Sequence, residues 1–131
     1  MREEIIRRAQ ARAVDGQVAC ADAHAIAEEM GISPLEVGKA VNRASSLRFY
    51  RCQLGVFGYG PKAEGKHKIV LPAAHVPPEI EAALLKVSRD GRISCADVWA
   101  VAERFRYPRL GMANIIEAMG LKLYRCQIGC F

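Results

Sequence analysis

Apolar side chains recur every three or four residues along three segments of the first half of the chain, which predicts three amphipathic helices. These helices cover about residues 3–14, residues 21–30 and a segment that begins at residue 34. A short extended piece, residues 17–19, precedes the second helix, and a β-rich run, residues 47–54, follows the third. The predicted order is therefore helix, short strand, helix, helix, strand.

The second half of the chain repeats this pattern. Identical short runs recur at a nearly constant offset: DG at 15–16 and 90–91, CAD at 20–22 and 95–97, and YRCQ at 50–53 and 124–127. The offset is 75 residues through the second helix and 74 at YRCQ, so one residue was lost or gained between residues 29 and 47. The repeat predicts two copies of one supersecondary unit with a pseudo-two-fold relation. Because about 54 residues make a marginal core, we expect the halves to support each other.

The helix boundaries carry recognisable signals. Gly31 is expected to end the second helix, and Asp15-Gly16 to end the first with a left-handed cap residue. The third helix begins with a capping box, in which Ser33 is the cap, Pro34 the first helical residue and Glu36 the residue that reaches back. Short strands before and after a closely spaced pair of helices complete the unit.

This order of elements, the turn at residues 31–33 and the capping box together resemble the winged helix-turn-helix superfamily, present twice. The resemblance covers most of residues 3–57 and 79–131. It implies a mainly α fold with short β-hairpins, built as tandem winged helix-turn-helix repeats with a pseudo-two-fold relation. The predicted domains are a first repeat, 1–57, a basic Gly/Pro-containing wing or linker, 58–78, and a second repeat, 79–131. A generic helical repeat with an incidental hairpin is the alternative.

The middle segment has two interpretations. In the first, residues 58–68 form the tip of a wing and residues 69–71 return as its second strand. In the second, residues 58–78 form a plain linker, since their four prolines favour extended chain. The second repeat departs from the pattern, because its turn at residues 106–108 lacks glycine and the sequence given leaves no return strand after Phe131.

Composition narrows the functional classes. The net charge of +5 and the pI near 9.1 permit a polyanionic partner without requiring one. No apolar run is long enough to cross a membrane, and the first residues lack the apolar centre of a secretion signal, so we expect a cytoplasmic protein without a membrane partner. No glycine-rich phosphate loop or nucleophile elbow occurs, so we do not expect an enzyme, and no cofactor is predicted.

The resemblance implies that the exposed face of the third helix enters the major groove of double-stranded DNA. Lysine, arginine and asparagine are the residue types that reach phosphates and base edges. The candidate DNA-binding residues are Lys39, Asn42, Arg43 and Ser46 on this face and Lys62, Lys66 and Lys68 in the wing. A solvated helix face beside a soluble linker is the alternative.

The equivalent face of the second repeat carries small, neutral or acidic residues. It comprises Gly111, Asn114, Glu117 and Ala118. Small residues let another helix approach closely, so this face is interpreted as a packing surface, with a homodimer through Gly111, Asn114 and Ala118 as the expected assembly. An unused surface is the alternative.

Four of the five cysteines occupy equivalent positions in the two repeats. Cys20 and Cys95 begin the second helix of each repeat, and Cys52 and Cys126 lie on the following strand. Each repeat is therefore expected to bring two sulfurs close together, as a metal or redox site would require, although these four cysteines lack the close C-x₂₋₄-C spacing usual for zinc. Buried structural thiols are the favoured interpretation.

Taken together, the sequence predicts a DNA-binding transcriptional regulator or architectural protein, with the first repeat as the main reader. Two alternatives stay open. One is a winged-helix module for protein–protein interaction that binds no nucleic acid. The other is a sensor that responds to thiol oxidation or to a metal.

Overall fold

The computed structural model describes residues 1–60 and 62–131, with the backbone alone at Lys62. Each repeat contains three α-helices and two short strands, and a 3₁₀ turn, Lys62–Glu64, lies between the repeats. The elements of the first repeat are α1 (Arg2–Arg12), β1 (Gln17–Ala19), α2 (Cys20–Met30), α3 (Pro34–Ala44) and β2 (Arg48–Tyr50). Those of the second are α4 (Pro78–Val87), β3 (Arg92–Ser94), α5 (Cys95–Arg104), α6 (Arg109–Met119) and β4 (Lys122–Tyr124). The prediction of a mainly α fold is confirmed.

The strands form parallel pairs, and the predicted β-hairpins are therefore wrong. β1 pairs with β2, with Val18 opposite Phe49, and β3 pairs with β4, with Ile93 opposite Leu123. Two helices connect the paired strands in each repeat. They carry the chain back to the end of the sheet where the first strand begins, so the second strand runs parallel to the first. The unit is a β-α-α-β arrangement preceded by one helix.

The Asp-Gly pairs form tight turns and do not cap the first helix of each repeat. α1 already ends at Arg12, and the left-handed φ values of Asp15 (52°) and Gly16 (76°) belong to a two-residue turn. The backbone groups of Val14 and Gln17 close this turn with N–O distances of 2.9 and 3.0 Å. Asp-Gly is a preferred pair for such type I′ turns, and the second repeat uses the same pair at residues 90–91. The predicted cap at residues 15–16 is wrong for this reason.

The turn between α2 and α3 follows the sequence signals. Gly31 is left-handed, with φ 66°, and Pro34 is the first residue of α3. The Ser33 hydroxyl accepts a hydrogen bond from the backbone N–H of Glu36 at 3.1 Å, which confirms Ser33 as the cap. In the second repeat, Arg106 adopts φ 53° at the position equivalent to Gly31.

Two hydrophobic clusters form the core, and each contains a residue from the other repeat. Ile128 lies in the cluster built by α1, β1, α2 and α3 of the first repeat. Leu54 lies in the cluster built by α4, β3, α5 and α6 of the second. Both side chains are 0% exposed, and they occupy equivalent positions 74 residues apart. The segments that follow β2 and β4, residues 51–57 and 125–131, are therefore exchanged between the repeats; we call them the exchanged tails.

A left-handed residue starts each exchanged tail. Arg51 has φ 50° and Arg125 has φ 53°, immediately after β2 and β4. A residue with a Cβ atom pays about 1–2 kcal/mol for this conformation. The guanidinium of each arginine lies near the ring of the preceding tyrosine. The distance to the ring centroid is 5.1 Å for Arg51 and Tyr50 and 5.3 Å for Arg125 and Tyr124. The same backbone reversal in both repeats directs each tail towards the opposite core.

One glycine allows close contact between α3 and the tail that it receives. A Cβ atom added at Gly38 would lie 1.8 Å from the carbonyl oxygen of Ile128. No side chain fits at that distance, so the backbone of the tail rests directly on the helix. The equivalent position in α6 is Ala113, which shows that the other tail is not held as closely.

Equivalent residues also meet where α2 approaches α5. The rings of His24 and Trp99, which lie 75 residues apart in the sequence, have centroids 4.2 Å apart. The Arg109 guanidinium lies 3.6 Å from the centroid of the Trp99 ring. Burial, followed by the charge of Arg109, lowers the pKa of His24. Contact between equivalent positions is expected at a pseudo-two-fold axis.

The described part of residues 51–77 contains no β-strand, so the wing with a return strand at residues 69–71 is wrong. Its chain instead forms a closed loop and then an extended linker. Backbone hydrogen bonds from Tyr59 to His67 (3.2 Å) and from Ile69 to Gly55 (2.8 Å) close the loop. The linker then runs along α6.

We expect Ile128→Ala and Leu54→Ala each to lower the free energy of unfolding by about 2–5 kcal/mol, because each removes a fully buried aliphatic side chain. The informative readout is hydrogen exchange: Ile128→Ala should accelerate exchange in α1–α3 of the first repeat, and Leu54→Ala in α4–α6 of the second. Leu71→Ala, at a position 70% exposed, is the control and should leave stability unchanged. Faster hydrogen exchange only in the repeat whose sequence contains the mutated residue would contradict the exchange of tails.

Candidate nucleic-acid interface

The predicted DNA-binding residues of the first repeat are all on the surface. Val37 and Val41 of α3 are fully buried, so the opposite side of this helix faces outward. Lys39, Asn42 and Arg43 lie on that outer side and are exposed. Ser46 is exposed too, but α3 ends at Ala44, so Ser46 lies beyond the helix. We call Lys39, Asn42, Arg43 and Ser46 the α3 face.

The helix end beside Ser46 is fixed by its neighbour. The Ser45 hydroxyl donates to the carbonyl oxygen of Val41 at 2.7 Å and accepts from the backbone N–H of Leu47 at 3.2 Å. These bonds satisfy groups that the end of a helix leaves unpaired. Ser46 therefore occupies a defined position between α3 and β2.

The charge of the α3 face is positive. Across residues 1–60 and 62–131, neither Lys39 nor Arg43 lies in an ion pair. One carboxylate, that of Glu36, is exposed in the first turn of the same helix. The two cations are four residues apart, which places them one above the other on the helix surface.

Two of the predicted wing residues, Lys66 and Lys68, lie near carboxylates. The side chain of Lys62 lies outside the described part of the structure. The Lys66 ammonium lies 3.7 Å from the carboxylate of Glu64, and the Lys68 ammonium lies 3.4 Å from that of Glu117 on α6. Lys68 nevertheless lines the same cleft as Asn42, so it stands across that cleft from the end of α3.

The equivalent face of α6 is partly occupied by the chain itself. The backbone N–H of Leu71 donates to the side-chain oxygen of Asn114, and that of Ala73 donates to the Asn114 carbonyl, both at 3.0 Å. Gly111 is close to the Tyr107 ring, since an added Cβ atom would lie 2.8 Å from it. Ala118 is exposed. Asn114 is therefore engaged by the linker, and the homodimer through Gly111, Asn114 and Ala118 stays a prediction.

Sequence reasoning missed two basic residues near the α3 face. Arg48 begins β2 and Lys122 begins β4, and both are exposed. They line the same cleft as Asn42 and Ser46. The signal was visible, because the matching runs LRFY and LKLY carry a basic residue at the same position in both repeats.

Cys20 and Cys95 are buried at the starts of α2 and α5, where they act as hydrogen-bond acceptors. A backbone hydrogen bond joins Gln53 to the sulfur of Cys20. Gln127 forms a backbone hydrogen bond to the sulfur of Cys95 and a second one through its side-chain nitrogen, at 3.4 Å. Burial nevertheless raises the pKa of Cys20 to about 12 and also raises the pKa of Cys95. Desolvation therefore outweighs the thiolate stabilisation that a helix N-terminus supplies.

Cys52 and Cys126 stabilise the first turn of the exchanged tails. The Cys52 sulfur accepts the backbone N–H of Leu54 at 3.4 Å, and burial raises its pKa. The equivalent Cys126 differs, because a hydrogen bond from the Cys130 thiol lowers its pKa and outweighs its partial burial. The position equivalent to Cys130 in the first repeat is Val56, which has no proton to donate. Equivalent positions in the two repeats therefore hold thiols whose pKa values are shifted in opposite directions.

All five cysteines are free thiols. Among the residues that the structure describes, no cluster of three or more His, Cys, Asp or Glu side chains has an arrangement suited to a metal ion. The observed contacts therefore assign the four repeated cysteines, Cys20, Cys52, Cys95 and Cys126, to packing and turn formation.

Comparisons with protein-family models, with curated proteins and with solved structures find no match to this chain. In the described residues, no helix has the length and apolar character needed to span a lipid bilayer.

We expect iodoacetamide at pH 7 to alkylate the Cys126–Cys130 pair before the three buried thiols, because a lowered pKa increases the thiolate fraction at that pH. Cys130→Ala removes the donor, so it should raise the pKa of Cys126 and slow its alkylation. Cys130→Ser keeps a hydroxyl donor and is the matched control. Tandem mass spectrometry of the C-terminal peptide measures this, and earlier modification of Cys20 or Cys52 would contradict the assignment.

Proposed function

We propose that this protein binds double-stranded DNA through the α3 face and acts as a transcriptional regulator or an architectural protein. The first repeat is the main reader. In this proposal each repeat is a variant of the winged helix-turn-helix unit, in which a parallel strand pair stands where a wing hairpin would be.

The observation that carries the proposal is the difference between two equivalent helix faces. The α3 face is exposed and has two cations without ion-pair partners in the described residues, Lys39 and Arg43. The equivalent face of α6 has Asn114 and Ala118 at those positions, and the linker is hydrogen-bonded to Asn114. Of these two equivalent helices, α3 therefore presents the basic face to the solvent.

The dimensions of α3 suit the major groove. Eleven residues give a helix about 16 Å long, and the groove is about 12 Å wide, enough to admit a helix. α2 precedes α3 by a three-residue turn and packs against it, as the first helix of a helix-turn-helix does. In this proposal Asn42 contacts a base edge, and Lys39 and Arg43 contact phosphates.

Additional basic residues extend the surface beyond the end of α3. Arg48, Lys68 and Lys122 line the cleft that Asn42 and Ser46 border. Together with the net charge of +5, they favour association with a polyanion. This arrangement supports a contact area wider than one helix.

Lys39→Ala combined with Arg43→Ala should weaken binding to a random-sequence duplex, because two phosphate contacts are lost. The slope of log affinity against log salt should become shallower by about 1.8, at about 0.9 for each contact. Fluorescence anisotropy titrations between low and physiological salt measure both quantities. Lys86→Ala with Arg89→Ala removes the same charge from exposed positions of the second repeat and is the control.

Equal affinities and slopes for the two double variants would overturn the assignment to the α3 face. Failure of the unaltered protein to bind duplex DNA at low salt would overturn DNA binding itself.

A second candidate function is protein interaction without nucleic acid. It is favoured by the way in which α6 holds an extended segment, through the two bonds between Asn114 and residues 71–73. The exposed α3 face would then receive an extended, acidic segment of a partner protein. Binding of duplex DNA with a steep salt dependence would exclude this as the main role of the face.

A further inference from the structure

A large cleft lies between the two repeats, and two residues of the α3 face, Asn42 and Ser46, lie on its border. Its volume is about 1200 Å³. Both repeats contribute equivalent residues to its walls, with Leu47 and Phe49 from the first and Leu121 and Leu123 from the second. We call it the inter-repeat cleft. The exchange of tails brings the starts of β2 and β4 and the ends of both exchanged tails to the walls of this cleft.

Part of the inter-repeat cleft is apolar and aromatic. Phe57 and Phe131 end the two exchanged tails, and their rings meet edge to face, with centroids 6.3 Å apart and planes at 83°. Phe131 is still 44% exposed, although its ring lines a concavity. Apolar surface of this kind gains free energy when a ligand removes it from water.

The charged residues of the cleft are mainly basic. Arg48 and Lys122, at equivalent positions, have no ion-pair partner in the described part of the chain. Lys68 also lines the cleft, and its charge is offset by Glu117 at 3.4 Å. Two cations are therefore available to a ligand, and the single carboxylate among the lining residues already has a partner.

We propose that the inter-repeat cleft binds a small organic anion that has one acidic group and one flat apolar group. The acidic group, a carboxylate, sulfonate or phosphate monoester, pairs with Arg48 and Lys122. The apolar group packs against the aromatic side chains Phe49 and Phe57. The proposal stands independently of DNA binding.

The size and position of the cleft argue for a small molecule. Ligand sites typically occupy about 300–1,000 Å³ and lie preferentially between domains, where apolar walls supply affinity and a few polar groups fix orientation. The inter-repeat cleft is slightly larger and has both kinds of residue. An apolar ligand without an acidic group would leave the two cations unused.

Anilinonaphthalene sulfonate, a flat aromatic anion that fluoresces in apolar surroundings, is the probe for this site. We expect saturable binding with one probe per chain. Arg48→Gln with Lys122→Gln should weaken binding by at least about tenfold, because two charge-assisted contacts are lost. Arg2→Gln with Lys86→Gln changes the net charge equally at exposed positions outside the cleft and should leave the affinity unchanged.

Two further measurements separate this site from general adhesion of the probe. Phenylnaphthylamine, which has the same rings without the sulfonate, should bind more weakly and should not distinguish the variants. Ser46→Trp places a bulky ring in the cleft from an exposed position and should abolish saturable binding while the circular dichroism spectrum is unchanged. Non-saturable binding, equal affinity in Arg48→Gln/Lys122→Gln and the control, or full binding by Ser46→Trp would each overturn the proposal.

Discussion

The burial of one aliphatic side chain from each repeat in the core of the other is the constraint on which this structure depends. Ile128 completes the first cluster and Leu54 completes the second. Each repeat alone is small for an independent core. The exchange adds a fully buried residue to each, and it makes the stability of either repeat depend on the tail of its neighbour.

The path of the linker follows from this exchange. Since the first tail enters the second repeat at Leu54, the chain emerges beside α6 and continues along it. That route engages Asn114 on the α6 face and leaves the α3 face exposed. The two repeats share one fold, yet sequence divergence has given them different surfaces: Lys39 and Arg43 in one, Asn114 and Ala118 in the other. The two repeats therefore present different surfaces although they contain the same elements in the same order.

Local signals in the sequence were sufficient for much of the fold. The apolar spacing of α2 and the signals at Gly31, Ser33 and Pro34 predicted the helices and their turn, because these depend on neighbouring residues. The α3 face was predicted as exposed for the same reason. An Asp-Gly pair can mark either the end of a helix or a hairpin turn. Because α1 ends close to Asp15-Gly16, the pair was predicted to cap that helix, but it forms a turn. The predicted antiparallel pairing of the strands was wrong. Two helices connect the paired strands in each repeat, and this connection makes the strands parallel.

The exchange itself was beyond reach from the sequence. The run of residues 47–54 has strand-like composition throughout, but β2 ends at Tyr50 and the chain reverses at Arg51. Alternating or continuous apolar residues show that Leu54 is buried, but not in which core. Likewise, Arg48 and Lys122 were overlooked because their proximity arises only when the repeats pack together.

The most direct test of the account is the set of methyl–methyl nuclear Overhauser effects from Ile128 in solution. The Ile128 methyl groups should show contacts with those of the first cluster, in particular Val37 and Val41, and Leu54 should show contacts with Ile115 or Ile116 in the second. Contacts of Ile128 only with methyl groups of the second repeat, and of Leu54 only with those of the first, would contradict the exchange of tails.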